Sequence, residues 1–219
     1  MKITSDIFLV GGASHSHPAD AAIYLITSGG AAALVDAGTG RGTERVLDNI
    51  RRAGVDPASV AQLFLTHCHF DHTGGAAALR QATGCTIVAH QLDAGFLEAG
   101  DSRVTAASWY GAQMEPLAID VKVAGPEQRF TVGALALTFR HAPGHSPGSA
   151  VLYLESDGKR VLFGQDVHGP LDDELRSQRA DYLRSLQMLL ALEADILCEG
   201  HFGVIIGKEQ VRTFIENFL

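Results

Sequence analysis

An apolar run at residues 60–65 gives way at once to a loop that is crowded with histidines. The loop and its continuation read Thr66-His67-Cys68-His69-Phe70-Asp71-His72-Thr73-Gly74-Gly75. In an extended segment His67 and His69 point to one side, whereas Cys68 and Phe70 point the other way, into the packing. Three imidazoles and a carboxylate within six residues are ligands that Zn²⁺ and similar divalent metals accept. We therefore expect a buried strand that ends in a metal site and continues into a helix.

Three later segments each place one ligand-type side chain at the end of an apolar strand. These side chains are His145 in the turn 141–148, Asp166 after the run 162–163, and His201 after the run 197–198. A carboxylate at the end of a buried strand needs a partner, because burial of an unpaired charge is costly. Gathered in one cleft, the four segments supply five histidines and two aspartates.

The remainder of the chain alternates short strands with helices in two similar halves. The turn Gly29-Gly30 predicts a hairpin. This order predicts an α/β fold in one domain, residues 1–219, with two mixed sheets packed face to face and helices outside. Strands are predicted at 6–10, 21–27, 31–36, 60–65, 86–89, 121–124, 135–142, 149–154, 160–163 and 195–198. Helices are predicted at 43–53, 73–82, 90–97, 178–192 and 208–219.

The amino-acid composition argues against nucleic acids and membranes as binding partners. The chain has 17 basic and 25 acidic residues, a formal charge of −8, which argues against a nucleic-acid partner. It has neither an apolar run that would cross a bilayer nor the pattern of a secretory signal, so we expect a cytoplasmic protein without a membrane partner. Three widely spaced cysteines do not form a disulfide framework. The expected partner is a small-molecule substrate, with a second copy of the chain as a candidate for a homodimer.

The spacing of the histidines and aspartates resembles the metallo-β-lactamase fold superfamily, in particular its glyoxalase II-like and lactonase-like hydrolases. The early segment Leu34-Val35-Asp36-Ala37-Gly38 also resembles that family. The resemblance implies a four-layer αβ/βα sandwich. It also implies that His67, His69 and His145 hold one metal, that Asp71, His72 and His201 hold a second, and that Asp166 bridges them. Asp36 would brace the histidine-rich loop.

The reaction that the resemblance implies is hydrolysis by two divalent metal ions, most often Zn, with Fe or Mn as alternatives. A hydroxide bridging the two metals would attack a thioester, a lactone or a related carbonyl, with Asp71 and Asp166 as catalytic residues. Few basic residues follow His201, which argues against a glutathione thioester. The alternative is a persulfide dioxygenase with a single iron on His67 or its neighbour, His145 and Asp166. A metal-binding scaffold without catalysis is a third interpretation.

Other residues are candidates for the substrate pocket or for packing. His168, Tyr182 and Trp109 are candidate pocket residues, and Tyr110 is a candidate together with its neighbour Trp109. His168 is also a candidate for a proton-handling role. We expect Cys68 to pack in the core and His90 and His141 to be structural. His15 and His17 lie in a loop that we expect to be solvated, with a substrate contact as the alternative.

Overall fold

Twelve strands form two sheets of six in the computed structural model, which describes all residues from 1 to 219. The first sheet has the order β1-β2-β3-β4-β5-β6, antiparallel from β1 to β3 and parallel from β3 to β6. Its strands are β1 Ile7–Gly11, β2 Ile23–Ser28, β3 Ala31–Val35, β4 Val60–Phe64, β5 Thr86–His90 and β6 Val121–Val123.

The second sheet has the order β12-β11-β10-β9-β8-β7, and only β10 and β11 are parallel neighbours. Its strands are β7 Glu127–Val132, β8 Leu135–His141, β9 Ala150–Ser156, β10 Lys159–Gln165, β11 Ile196–Glu199 and β12 Gly203–Ile206. The helices are α1 Thr43–Arg52, α2 Phe70–Thr73, α3 Ala76–Thr83, α4 Gln91–Ala99, α5 Arg179–Ala191 and α6 Lys208–Glu216. Two 3₁₀ turns cover Pro57–Ser59 and Ala107–Tyr110. None of the helices is both long and apolar enough to span a bilayer.

The strands of the first sheet are apolar on both faces, and this produces the layers. In β2, Ile23 and Leu25 face a cluster that includes α1, α3 and α4, whereas Tyr24 and Ile26 face the second sheet. Because successive side chains of a strand point to opposite faces, one continuous apolar run supplies two cores. A third cluster packs α5 and α6 against the outer face of the second sheet. The predicted sandwich of two sheets with helices outside is confirmed.

Two strands were missed by the sequence analysis, and one predicted helix was wrong in its extent. Strands β7 and β12 were not predicted, because both lie at sheet edges and expose much of their length, so neither shows a buried apolar pattern. The helix predicted at 73–82 is interrupted at Gly74-Gly75, which separates the single turn α2 from α3. A side chain at Gly75 would collide with the carbonyl oxygen of Ala37, so the chain passes close to the first sheet at this point.

The ligand-type residues follow strands that run in the same direction in each sheet. Asp36 follows β3 and the histidine-rich loop follows its parallel neighbour β4. Asp166 follows β10 and His201 follows the parallel strand β11. The carboxyl ends of parallel strands meet at one edge of a sheet, which is where α/β folds place their binding sites.

Candidate metal centre

The four sequence segments meet in one buried cluster. His67, His69, His145 and Asp166 bring one ligand atom each to within 4.8 Å of the others. Asp71, His72 and His201 form a second group by the same measure. All seven predicted ligand-type residues therefore lie where a metal centre would need them.

Asp166 reaches both groups of side chains. Its Oδ1 lies 3.1 Å from Nε2 of His72, and its Oδ2 lies 3.4 Å from Nε2 of His145 and also 3.4 Å from Nε2 of His201. The residue before it, Gln165, has a positive φ of 51°, and the pairing of β10 with β11 is irregular at this point. A bulge of this kind redirects the side chain that follows it, and here it turns Asp166 inward.

The outer nitrogens of three histidines are held by acceptors. Nδ1 of His72 lies 2.8 Å from a carboxylate oxygen of Asp36, and Nδ1 of His145 lies 2.8 Å from the carbonyl oxygen of Pro170. Nδ1 of His67 lies 3.1 Å from the hydroxyl oxygen of Thr66. An acceptor on Nδ1 fixes the proton there and leaves the lone pair of Nε2 to face the cluster, as in metal-bound histidines.

Asp36 connects the end of β3 to the histidine-rich loop by hydrogen bonds. It adopts a positive φ of 64°, and its carboxylate accepts hydrogen bonds from the backbone nitrogen and the hydroxyl of Thr66 as well as contacting His72. The strained backbone is compensated by these contacts, which tie the end of β3 to the loop after β4.

Five inward-facing atoms form no hydrogen bond of regular geometry, although Nε2 of His72 and Oδ1 of Asp166 lie only 3.1 Å apart. The five atoms are Nε2 of His67, His69, His72 and His145 and Oδ1 of Asp166, all buried. Buried polar atoms are nearly always paired, so five without a regular hydrogen bond in one place require an explanation. Divalent cations between the two groups would satisfy all five atoms, and the donor set of imidazole and carboxylate suits zinc, iron or manganese. The residues present therefore fit a metal centre.

The protonation of the cluster depends on its surroundings. Burial lowers the pKa of His67 and His69 well below the usual value, and neighbouring imidazoles add to this effect. These two rings are therefore neutral at pH 7, as metal binding requires. Burial opposes the charged form of His201 as well, but hydrogen bonds to Asp166 and Asp71 raise its pKa to about 10.

Asp93 is a contributor to the site that the sequence did not reveal. Its carboxylate is fully buried beneath the cluster and accepts hydrogen bonds from the backbone nitrogen of Cys68 at 2.8 Å, from the hydroxyl of Ser146 at 2.6 Å and from the backbone nitrogen of Gly148 at 2.6 Å. Asp93 thereby joins the loop of His67 and His69 to the loop of His145. In the sequence it looks like an ordinary acidic residue in the first turn of a helix.

An open groove of about 380 Å³ lies beside His201. Its walls include His15, Tyr110 and Phe202. Tyr110, a candidate together with its neighbour Trp109, does line this groove, and its phenol lies near the carboxylate of Asp71. Trp109 itself is half exposed and does not line this groove.

The other residues singled out in the sequence differ in their burial and in their distance from the groove. His168 is partly exposed, and its Nδ1 lies 2.8 Å from the buried carboxylate of Glu199, with its ring beside that of His201. Tyr182 is buried in α5, where its hydroxyl donates to the carbonyl oxygen of Val167, so it does not reach the groove. Cys68 is fully buried and packs in the core, as expected. His17 accepts a hydrogen bond from the backbone nitrogen of Ala19.

A family model described as the metallo-beta-lactamase superfamily matches residues 18–201, which contain all seven ligand-type side chains. The chain belongs to the metallo-beta-lactamase superfamily. A subclass B3 metallo-beta-lactamase of Bradyrhizobium japonicum has the same fold, with a TM-score of 0.81 at 23% identity over 100% of this chain and 89% of the other. That likeness concerns the fold alone.

Two relatives in the superfamily have printed activities. A hydroxyacylglutathione hydrolase of Anaeromyxobacter dehalogenans is 36% identical over 144 residues, 66% of this chain and 45% of the relative. An acyl-coenzyme A thioesterase of Bos taurus is 29% identical over 191 residues, 77% of this chain and 66% of the relative. The chain thus spans about half to two thirds of the length of these relatives.

Proposed function

We propose that the protein is a metal-dependent hydrolase that binds two divalent cations and cleaves a small thioester. The observation that carries this proposal is the position of Asp166, whose two oxygens face the two groups of histidines. A carboxylate between two sets of ligands is suited to hold two cations in fixed relation. His67, His69 and His145 would bind one cation, and Asp71, His72 and His201 the other.

When bound, the cations would supply Lewis acidity and a water molecule of lowered pKa. The residues of the chain position the reacting groups and exclude bulk solvent from them. Asp71 is buried beside His201, the exposed member of the cluster, and its Oδ2 is 3.1 Å from Nε2 of His201. We assign to this carboxylate the orientation of the attacking water and the acceptance of its proton. The groove beside His201 would receive the substrate carbonyl.

The choice of a thioester is supported by the acyl-coenzyme A thioesterase among the relatives and by the groove. No lysine or arginine lines the part of the groove next to His201, and Tyr110 and Phe202 present aromatic surface there. This environment suits an uncharged acyl group. A lactone has the same type of reacting carbonyl and remains the second substrate class to be tested.

The first test is the metal content of protein purified without added metal, followed by hydrolysis assays with a thioester and a lactone. We expect about two metal ions per chain and turnover of the thioester. One iron per chain, with oxygen consumption in the presence of a persulfide, would replace this proposal with the dioxygenase. Metal binding without turnover of any ester, thioester or lactone would leave only a scaffold.

A further inference from the structure

Three neighbouring surface cavities share His15 as a lining residue, and the first of them reaches His201. The first is the groove beside His201. The second, of about 390 Å³, is lined by His15, Arg45, Asn49 and Arg52 together with Asp48. The third, of about 300 Å³, shares His15, Asn49 and Arg52 with the second. Since His15 borders all three cavities, one extended molecule can occupy them in sequence.

The outer two cavities are positively charged, whereas the first is not. Arg45 and Arg52 line the second cavity, and Lys2 joins Arg52 in the third. None of these three side chains has a carboxylate within 4 Å. Arg45 contacts only the carbonyl oxygen of Ser16, at 3.3 Å. Unpaired cations on a protein of formal charge −8 create a local site for anions.

The acidic residues that line the three cavities are already engaged. Asp20 is buried and accepts hydrogen bonds from the hydroxyls of Ser16 and Thr39. Asp48 forms an ion pair of 2.8 Å with Arg51. The cavities therefore offer no free carboxylate to an ammonium group on a ligand.

Helix α1 explains why the cations share one wall. Arg45, Asn49 and Arg52 are spaced four and three residues apart, so they lie on the same face of the helix. Val46 and Ile50 on another face of α1 are buried against the first sheet. Packing of α1 fixes its orientation and thereby aims the two guanidinium groups at the second cavity.

We propose that the leaving group of the substrate is a thiol that carries phosphate groups, and that Arg45, Arg52 and Lys2 bind those phosphates. This inference rests on the proposed thioesterase function. Guanidinium groups bind phosphate with paired hydrogen bonds, which makes arginine well suited to this role. Glutathione also carries anionic groups, its two carboxylates, but it has an ammonium group in addition, for which the cavities offer no free carboxylate. The acyl group lies in the first cavity, which no lysine or arginine lines, and the phosphorylated end of the thiol lies along α1.

The test compares two thioesters with the same acyl group. Butyryl-coenzyme A carries phosphates, and the butyryl thioester of pantetheine carries none. We expect a KM for butyryl-coenzyme A that is about tenfold lower, with the difference reduced at high salt. The double variant Arg45→Ala/Arg52→Ala raises that KM until the two substrates are equivalent. A control, Arg129→Ala/Arg212→Ala, removes the same charge from β7 and α6 and retains the preference.

The outcomes separate this inference from the proposed function. Hydrolysis of both thioesters with equal KM, unaltered in the double variant, would overturn the phosphate site and leave the thioesterase standing. If neither thioester is hydrolysed, calorimetry with desulfo-coenzyme A, which has the phosphates but no thiol, decides the matter. Binding that the double variant abolishes and the control retains supports the site, and absence of binding overturns it.

Discussion

The carboxylate of Asp93 accepts a hydrogen bond of 2.8 Å from the backbone nitrogen of Cys68. Through this contact helix α4 holds the residue between His67 and His69 in place. The same carboxylate also accepts from Ser146 and Gly148, so the third histidine of that group, His145, is positioned by the same atoms.

Replacing this carboxylate is expected to weaken metal binding. The substitution Asp93→Asn replaces one carboxylate oxygen by an NH₂ group, which cannot accept a hydrogen bond. At least one of the donors from Cys68, Ser146 and Gly148 then lacks an acceptor. We expect the affinity for metal at His67, His69 and His145 to fall about 10- to 100-fold, measured by competition with a chromophoric chelator. Asp56→Asn is the control, because Asp56 also accepts from a backbone nitrogen, that of Ala58, but is exposed. Loss of stability with unchanged metal affinity would contradict this role.

Asp166→Ala tests the relation between the two groups of histidines. The substitution removes a carboxylate oxygen from each of the two groups of ligand-type side chains. We therefore expect the metal content to fall and the rate of hydrolysis to fall by about a hundredfold or more. Elemental analysis and steady-state kinetics on the same preparation measure the two effects. A variant with full metal and full activity would show that the assignment of Asp166 is wrong.

Tyr110→Phe separates a substrate contact from a structural one. Burial and the neighbouring carboxylate of Asp71 raise the pKa of the Tyr110 phenol, which therefore keeps its proton at all ordinary pH values and can donate. We expect kcat/KM to fall about tenfold, the cost of one hydrogen bond to a charged group, without loss of metal. Trp109→Phe should have no such effect, because Trp109 does not line the groove. Equal effects of the two changes would remove Tyr110 from the site.

Removal of the metal ions is expected to destabilise the protein. A chelator would leave the inward nitrogens and Oδ1 of Asp166 buried and without regular hydrogen bonds. We expect a lower Tm after chelation and a Tm that rises again with the concentration of added Zn²⁺. Zinc uptake at pH 7 should also release protons, since the pKa of His201 is raised to about 10 by Asp166 and Asp71. A Tm that is unaffected by chelation would argue against a metal centre.

The stacked pair His90–His141 predicts a dependence of stability on pH. The rings lie 3.8 Å apart and nearly parallel, and burial together with the nearby His141 lowers the pKa of His90 from 6.5 to about 4. Between these two values the unfolded chain binds more protons than the folded one, so stability is lost as the pH falls from 6.5 toward 4. His90→Asn keeps an acceptor at the start of α4 but cannot titrate there. Urea unfolding at pH 7.5 and pH 5 should show a smaller difference for the variant than for the parent chain, and equal differences would contradict the prediction.

The positions of the ligand-type residues were predictable because each follows an apolar strand directly. That local pattern, repeated before His67, Asp166 and His201, is enough to place the side chains at strand ends and hence at one edge of the fold. Their division between two metals with Asp166 as the bridge came from the resemblance and stays a prediction.

The role of Asp93 was not predictable, because it depends on contacts between distant parts of the chain. Asp93 meets Ser146 and Gly148, which lie more than fifty residues away, and no local pattern records such a contact. Trp109 and Tyr110 are adjacent aromatic residues in an irregular segment, and only the turn at Ala107–Tyr110 decides which of them faces the groove. Strands β7 and β12 were missed for a related reason, since an edge strand gains its partner from the tertiary fold.

The candidate metal centre draws its ligand-type side chains from both sheets. His67, His69, Asp71 and His72 follow β4 of the first sheet, whereas Asp166 and His201 follow strands of the second. Neither half of the chain alone can assemble the cluster. During folding, high-affinity metal uptake should consequently appear only after the two sheets have docked, because contacts between residues this distant in sequence form late. The cation would then act as a marker of completed folding, and in the cell it would favour the fully docked chain over partly folded forms.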